Sequence, residues 1–224
     1  MPYLYEMHFH TAETSPCAAL PAEEGVRALM DSGYSGVCVT DHFHAEWLME
    51  FEGISYEEKI GIWLEGYESA KRCEDGWFHV LLGMELCLPG SYNEFLLYGL
   101  TPELLCKTPR LAFFSVEECK TFADRNGIFM AQAHPFRPFM IPCAPRLLHG
   151  MEVYNGNMRH QSRNRKAQTY ADKHGLTGIS GSDFHEFEDV GRGGMWFDAE
   201  ITSSRDLAKA LFSGEPPHSL MISD

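Results

Sequence analysis

Strand-like and helix-like stretches alternate along the 224 residues, and the strand-like ones repeatedly end in histidine or carboxylate. The first, residues 4–10, closes on "EMHFH"; a strand turns i and i+2 to one face, roughly 7 Å apart, so His8 and His10 can converge on one ion. Val37-Cys38-Val39 runs into "TDHFH" and delivers Asp41 and His42. "HVLLGMEL" (79–86) carries Glu85 at its end, and "IFMAQAH" (128–134) carries His134. "GMEVYN" (150–155) holds Glu152, and "LTGISGSDFH" (176–185) closes on Asp183 and His185. Repeated strand–helix units predict parallel strands with right-handed crossovers, hence an α/β sheet or barrel. In a parallel barrel those strand ends share the face that carries chemistry. Imidazole and carboxylate there form a metal-ligand inventory of nitrogen and oxygen donors without thiolate. Each residue alone also reads as an independently satisfied polar group, but six sites on one rim are hard to explain that way.

The helices have their own signals. Pro21 opens one whose stripe is Val26, Leu29 and Met30 and whose stop is Gly33. Ser55 with Glu58, and Ser115 with Glu118, form capping boxes. The first box starts a helix with Ile60, Trp63, Leu64, Tyr67 and Ala70 on one face, and the second a helix ending near Gly127. "EFLLYGL" (94–100) lies close enough to the 79–86 strand to pair as a hairpin. A polar helix is expected over about 158–174, an extended "GGMWFDAEI" after it, and a last helix over 204–213. With no repeat, low-complexity tract or linker, residues 1–224 read as one domain.

Seven cysteines, an odd number with no Cys-x-x-Cys pair, read as reduced thiols rather than a disulfide frame. The opening "MPYLYEMHFH" has no basic region followed by an apolar run, and no window approaches the ~20 apolar residues of a membrane span. The cytoplasm is therefore the expected compartment, with no membrane partner. A net charge of −14 without a Lys/Arg-rich run speaks against a nucleic-acid polymer as partner. No pattern encodes an oligomeric state.

"HFHT", "TDH", "GME", "AHPFR", "EVYNG" and "GSDFH", in this order, resemble the motif series of the polymerase and histidinol phosphatase (PHP) domain family over residues 6 to about 192. The resemblance implies a distorted seven-stranded (β/α) barrel. It also implies a metal-dependent phosphoric ester hydrolase with two or three divalent ions, zinc, manganese or iron. Position by position, it implies that His8, His10 and Asp183 hold a first metal, that Glu85 bridges to a second bound by His134, and that His42 and His185 hold a third. Two departures stand out. Where many members carry an Asp after the first motif, this chain reads "TAETSPC", and Glu13 is the expected substitute ligand for the third metal. The histidine that some members place between the Glu85 and His134 motifs is missing, leaving Asn93, Glu94 or water to complete the second site.

Other residues are candidates for substrate and proton handling. Arg137, in "HPFR", is the expected phosphate clamp and counts among the catalytic residues, because its planar fork binds two phosphate oxygens at once. Arg159 and Arg192, the latter between glycines, are further substrate-binding candidates. Asp41 is expected to orient an imidazole, with a turn cap as the alternative. His44 is expected to give a proton to the leaving oxygen or to join the metal shell, a solvated histidine being the alternative. Cys17 reads as a small packing residue, or else a reactive thiol. The expected activity is hydrolysis of a small phosphorylated metabolite or nucleotide by metal-activated hydroxide. An amide or ester hydrolase on the same scaffold, and a non-catalytic metal-containing binding module, are the alternatives.

Overall fold

The computed structural model describes residues 2–213 and the backbone of residues 218–219. Eight strands curl into a nearly closed, barrel-like sheet: β1 (Tyr3–Phe9), β2 (Gly36–Val39), β3 (His42–His44), β4 (His79–Cys87), β5 (Glu94–Tyr98), β6 (Phe129–Gln132), β7 (Gly150–Asn155) and β8 (Thr177–Gly181). β2 and β3 lie in succession along β4, so they form one interrupted stave and the barrel has the expected seven. β1, β2, β4, β6, β7 and β8 run parallel to their neighbours in that set. β5 is the exception, antiparallel to both β4 and β6, as the short 4–5 connection allows. Its reversal puts its first residue, Glu94, on the rim where the other strands end.

The seam between the first and last staves closes at that rim. Phe9 bridges to Phe184; His10 N–H donates to the Phe184 carbonyl (3.0 Å) and Phe184 N–H to the His8 carbonyl (2.9 Å). At the other end of β1, residues 3–5 pair with a ninth strand, β9 (Met195–Phe197), running antiparallel. Below the rim the interior is apolar. Met7, Leu81, Leu96, Tyr98, Ala131 and Ile179 form one buried cluster with Phe197, Leu207 and Leu211. Leu81 shares a strand face with Glu85, and Leu96 with Glu94, so the period of two leads each stave from packing to polar rim.

Helices cover the outside. α1 (Ala22–Asp31) packs Val26 and Leu29 on Leu4, Val37 and Val80. α2 (Ala45–Glu50) is a short helix after β3 that the sequence pattern did not announce. The helix expected from Ser55 is split into α3 (Tyr56–Trp63) and α4 (Glu65–Lys71). The cause is Thr14, whose hydroxyl donates to the Trp63 carbonyl (3.1 Å) and accepts from Gly66 N–H (3.1 Å), taking the place of helical bonds. α5 (Pro102–Cys106) is a second unannounced short helix. α6 (Val116–Asn126) carries its capping box and stops at Gly127 with φ 66°, where a Cβ is penalised. α7 (Asn164–His174) begins later than the expected 158, because Asn155 and Asn164 exchange hydrogen bonds (3.1 and 3.0 Å) that tie its start to β7. α8 (Ser204–Phe212) is the last described helix. Among the described residues no helix is long and apolar enough to cross a membrane.

Candidate metal centre

All seven staves bring an ionisable residue to one rim. β1 supplies His8 and His10, β3 His42, β4 Glu85 and β5 Glu94; His134 follows β6, Glu152 lies in β7, and Asp183 and His185 follow β8. The donor atoms converge. His8 Nε2 lies 3.3 Å from Glu85 Oε1 and 3.4 Å from Asp183 Oδ1. His10 Nε2 lies 3.4 Å from both Glu85 Oε2 and Asp183 Oδ1. His134 Nε2 is 3.0 Å from Glu85 Oε1 and 3.4 Å from Glu94 Oε2. His42 Nδ1 is 2.9 Å from Glu85 Oε2. Four sets thus place their donors within 4.8 Å of one another: His8–His10–Glu85, Glu85–Glu94–His134, His10–His42–His185 and His42–Cys87–Glu94.

A buried polar atom without a hydrogen bond is costly, about 1–3 kcal/mol, and native chains avoid it. Here His8 Nε2 and His10 Nε2 are buried and lack a hydrogen-bond partner, although both stand 3.3–3.4 Å from carboxylate oxygens of Glu85 and Asp183. Imidazole lone pairs and a carboxylate oxygen aimed at one point match the donor set of a divalent transition ion. The residues present therefore fit a metal.

The electrostatics agree. Burial disfavours charge on His8, but Glu85, Asp183 and Glu152 outweigh it and hold its pKa well above the ordinary value. His42 is raised against its burial mainly by Glu85. His10 is held well below by burial and by His42. Burial opposes ionisation of Glu85 and Asp183, yet the neighbouring imidazoles, His8 first, keep both carboxyls well below the usual range. Burial and Glu85 together raise Glu94. Burial pushes the Cys17 thiol up, but hydrogen bonds to His185 and His42 prevail and lower it to about 6. Carboxylates that pull protons onto imidazoles would pull a cation in their place.

Residues behind the rim hold the donors still. Glu152 accepts from His8 at Nδ1 (2.8 Å), from His134 N–H (2.8 Å) and from Asn155 Nδ2 (2.9 Å), which leaves His8 Nε2 facing the cup. Asp41 touches no imidazole. It accepts from Thr11 N–H (2.8 Å), Thr11 Oγ1 (2.7 Å) and Ser15 Oγ (2.7 Å), and Ser15 Oγ lies 3.4 Å from His10 Nδ1. Asp41 therefore reaches His10 through Ser15. His134 (φ 26°) and Asp183 (φ 55°) hold left-handed backbone that L-residues avoid, a strain of order 1–3 kcal/mol that the surrounding contacts sustain.

Several expected residues sit elsewhere. Glu13 is exposed and turned away; its carboxylate accepts from Ala22 N–H (2.9 and 3.1 Å) at the start of α1, so the helix N-terminus has captured it. His44 caps α2 by accepting from Trp47 N–H (3.2 Å) and does not line the cup. Arg192 donates to the Glu188 carbonyl (2.6 Å), pinning its own turn outside the cavity. Arg137 does line the cavity, but its Nη2 bonds Asp183 Oδ2 and Asn155 Oδ1 (2.9 Å), so it steadies a donor as well as facing the space. Arg159 lines it too, forked onto Asp189 at 3.0 and 2.6 Å. Of the three options for the second site, Glu94 reaches the rim, whereas Asn93 donates to the Ile141 carbonyl (2.8 Å). Cys17, Asn157, His160 and Glu186 also line this cavity of about 300 Å³.

A family model described as PHP-associated matches residues 161–216. A search of curated proteins gave no match. Among solved structures, a two-domain protein from Bacteroides vulgatus, described as containing a predicted PHP-like metal-dependent phosphoesterase, is 16% identical with TM-score 0.68, covering 99% of this chain. The chain spans 65% of that protein. PsfC from Pseudomonas syringae is 17% identical with TM-score 0.68, covering 99% of this chain and 92% of its own. An endonuclease Q, in complex with a 27-mer duplex bearing an abasic lesion, is 15% identical with TM-score 0.62, covering 94% of this chain and 56% of its own. The PHP-associated segment at 161–216 and the fold shared with a PHP-like structure agree with the family whose motif order the sequence resembles.

Proposed function

We propose that the chain is a metal-dependent phosphoesterase whose ions sit in the rim cup. The observation that carries this reading is the convergence of two buried, unpartnered imidazole nitrogens, His8 Nε2 and His10 Nε2, on the carboxylates of Glu85 and Asp183. His8, His10, Glu85 and Asp183 would hold one ion, and Glu85, Glu94 and His134 a second. Divalent ions supply Lewis acidity there: they acidify water and neutralise charge gathering on phosphoryl oxygens. The chain's residues do the rest. Glu152 and Ser15 fix the imidazole rings, Arg137 steadies Asp183, and Arg137 with Arg159 gives the cavity wall positive charge for a phosphate group.

A cavity of about 300 Å³ suits a phosphorylated metabolite or a single nucleotide. The DNA complex of endonuclease Q makes a nucleic-acid strand a second substrate class, since one nucleotide can enter such a cavity while the strand stays outside. The net charge of −14 therefore does not exclude it. The test is elemental analysis of the purified protein paired with phosphomonoesters, phosphodiesters and an N-acyl compound. Ester hydrolysis that follows metal content and is lost in His10→Ala supports the reading. Cleavage of the N-acyl compound alone would make the chain an amide hydrolase, and full metal occupancy with no hydrolysis would make it a binding module.

A further inference from the structure

We propose that the third position of the cup is a thiolate site, in which Cys17 joins His42 and His185 as ligands of a soft divalent ion such as zinc. This rests on the metal reading above.

The first loop leaves no other donor for the place. Of its two oxygen candidates, Glu13 is held at the start of α1, and Ser15 Oγ is committed to Asp41 at 2.7 Å. Cys17 instead lines the cup together with His42 and His185. The loop is built to keep it there. Ser15 N–H donates to the Thr11 carbonyl (2.8 Å) and Ala18 N–H to the Ser15 carbonyl (2.9 Å), which closes a tight turn around Cys17. Ala19 N–H then donates to the carbonyl of His185 itself (2.8 Å), so the turn and the second imidazole are sewn together. Beneath them lies His10, whose buried Nε2 is unpartnered and whose ring centroid is 4.4 Å from those of both His42 and His185. Two imidazoles and a thiolate select zinc, cobalt or iron over magnesium or calcium, which prefer oxygen. A second thiol nearby, Cys87, is the rival: its Sγ lies 3.9 Å from His42 Nδ1 and donates to Glu94 Oε1 at 3.2 Å.

The experiment strips the full chain of metal with a chelator, adds cobalt(II), and reads the near-ultraviolet sulfur-to-cobalt charge-transfer band together with bound cobalt. The band is expected in the wild type and in Cys87→Ser. In Cys17→Ser it is expected to vanish, with the loss of about one bound ion per chain and an unchanged circular dichroism spectrum. Cobalt bound by the wild type without the band would overturn the thiolate site and leave the metal reading standing. A band that survives Cys17→Ser and disappears in Cys87→Ser overturns it as well, moving the sulfur ligand to β4. Failure of the wild type to bind cobalt at all would overturn both.

Discussion

Glu152→Gln is the sharpest probe of how the rim is held. Glu152 uses Oε2 for His134 N–H and Asn155 Nδ2, and Oε1 for His8 Nδ1. Glutamine has one oxygen. Two donors already converge on the Oε2 position, so the amide oxygen belongs there and the NH₂ falls against His8. That ring must then accept at Nδ1 and carry its proton on Nε2, the atom meant for the ion. The variant keeps volume and two of three hydrogen bonds, so the fold should stand while a ligand is switched off. Disturbing the partner that orients a ligating histidine typically costs 10–100-fold in metal affinity, or about 1.4–2.7 kcal/mol. Zinc affinity measured by competition with a chromophoric chelator should weaken by that factor in Glu152→Gln. Glu152→Asp should fall between the two. Wild-type affinity in Glu152→Gln would refute the claim that Glu152 sets the His8 tautomer.

Three further expectations concern separate parts of the molecule. Glu94→Gln should lower bound metal by about one ion per chain and weaken the second site 10–100-fold; unchanged stoichiometry would remove β5 from the centre. Burial raises the Glu6 carboxyl from 4.5 to about 7 despite N–H donors from His8 and Ser182. Because the folded pKa is the higher one, its contribution is fully present below about pH 4.5 and lost as pH rises through about 7, roughly 3 kcal/mol in all. Chemical denaturation should show Glu6→Gln gaining on the wild type by that amount between pH 4.5 and 8; a constant difference would contradict it. At Gly66 a Cβ would stand 1.9 Å from Thr11 Oγ1 and 2.8 Å from Asp41 Oδ2. Gly66→Ala should therefore cost about 1–3 kcal/mol, roughly 2–4 °C of Tm for each, in a thermal melt.

The first and last motifs were legible because strand ends are where a period-two pattern breaks, and His8, His10, Asp183 and His185 sit at such breaks. Capping boxes were legible too, since Ser55–Glu58 and Ser115–Glu118 are local contacts. Glu94 was only one of three options: the hairpin fixes the direction of "EFLLYGL", but the register that sets Glu94 opposite Cys87 at the rim comes from the folded pairing. The proposed exchange of Glu13 for Cys17 lay deeper. Both follow His10 within a few residues, and a turn closed on the His185 backbone, far along the chain, chooses between them. Arg192 and His44 misled for the opposite reason: each found a local carbonyl or N–H to serve before any distant ligand. The break at Leu64 came from Thr14, a residue outside the helix altogether.

The Phe9–Phe184 bridge brings the opening strand of the chain against one near its end, and the ligands flank it on both sides. An ion gripped by His8, His10 and Asp183 is then a reversible crosslink across a very long loop, where such a link constrains the unfolded chain most. Loaded, the barrel mouth would be fastened twice, by the backbone seam and by the ion; stripped, it keeps the seam alone. Survival of the chain against proteases would then track the supply of ions around it, so a chain of this build would carry a record of metal availability in its own lifetime.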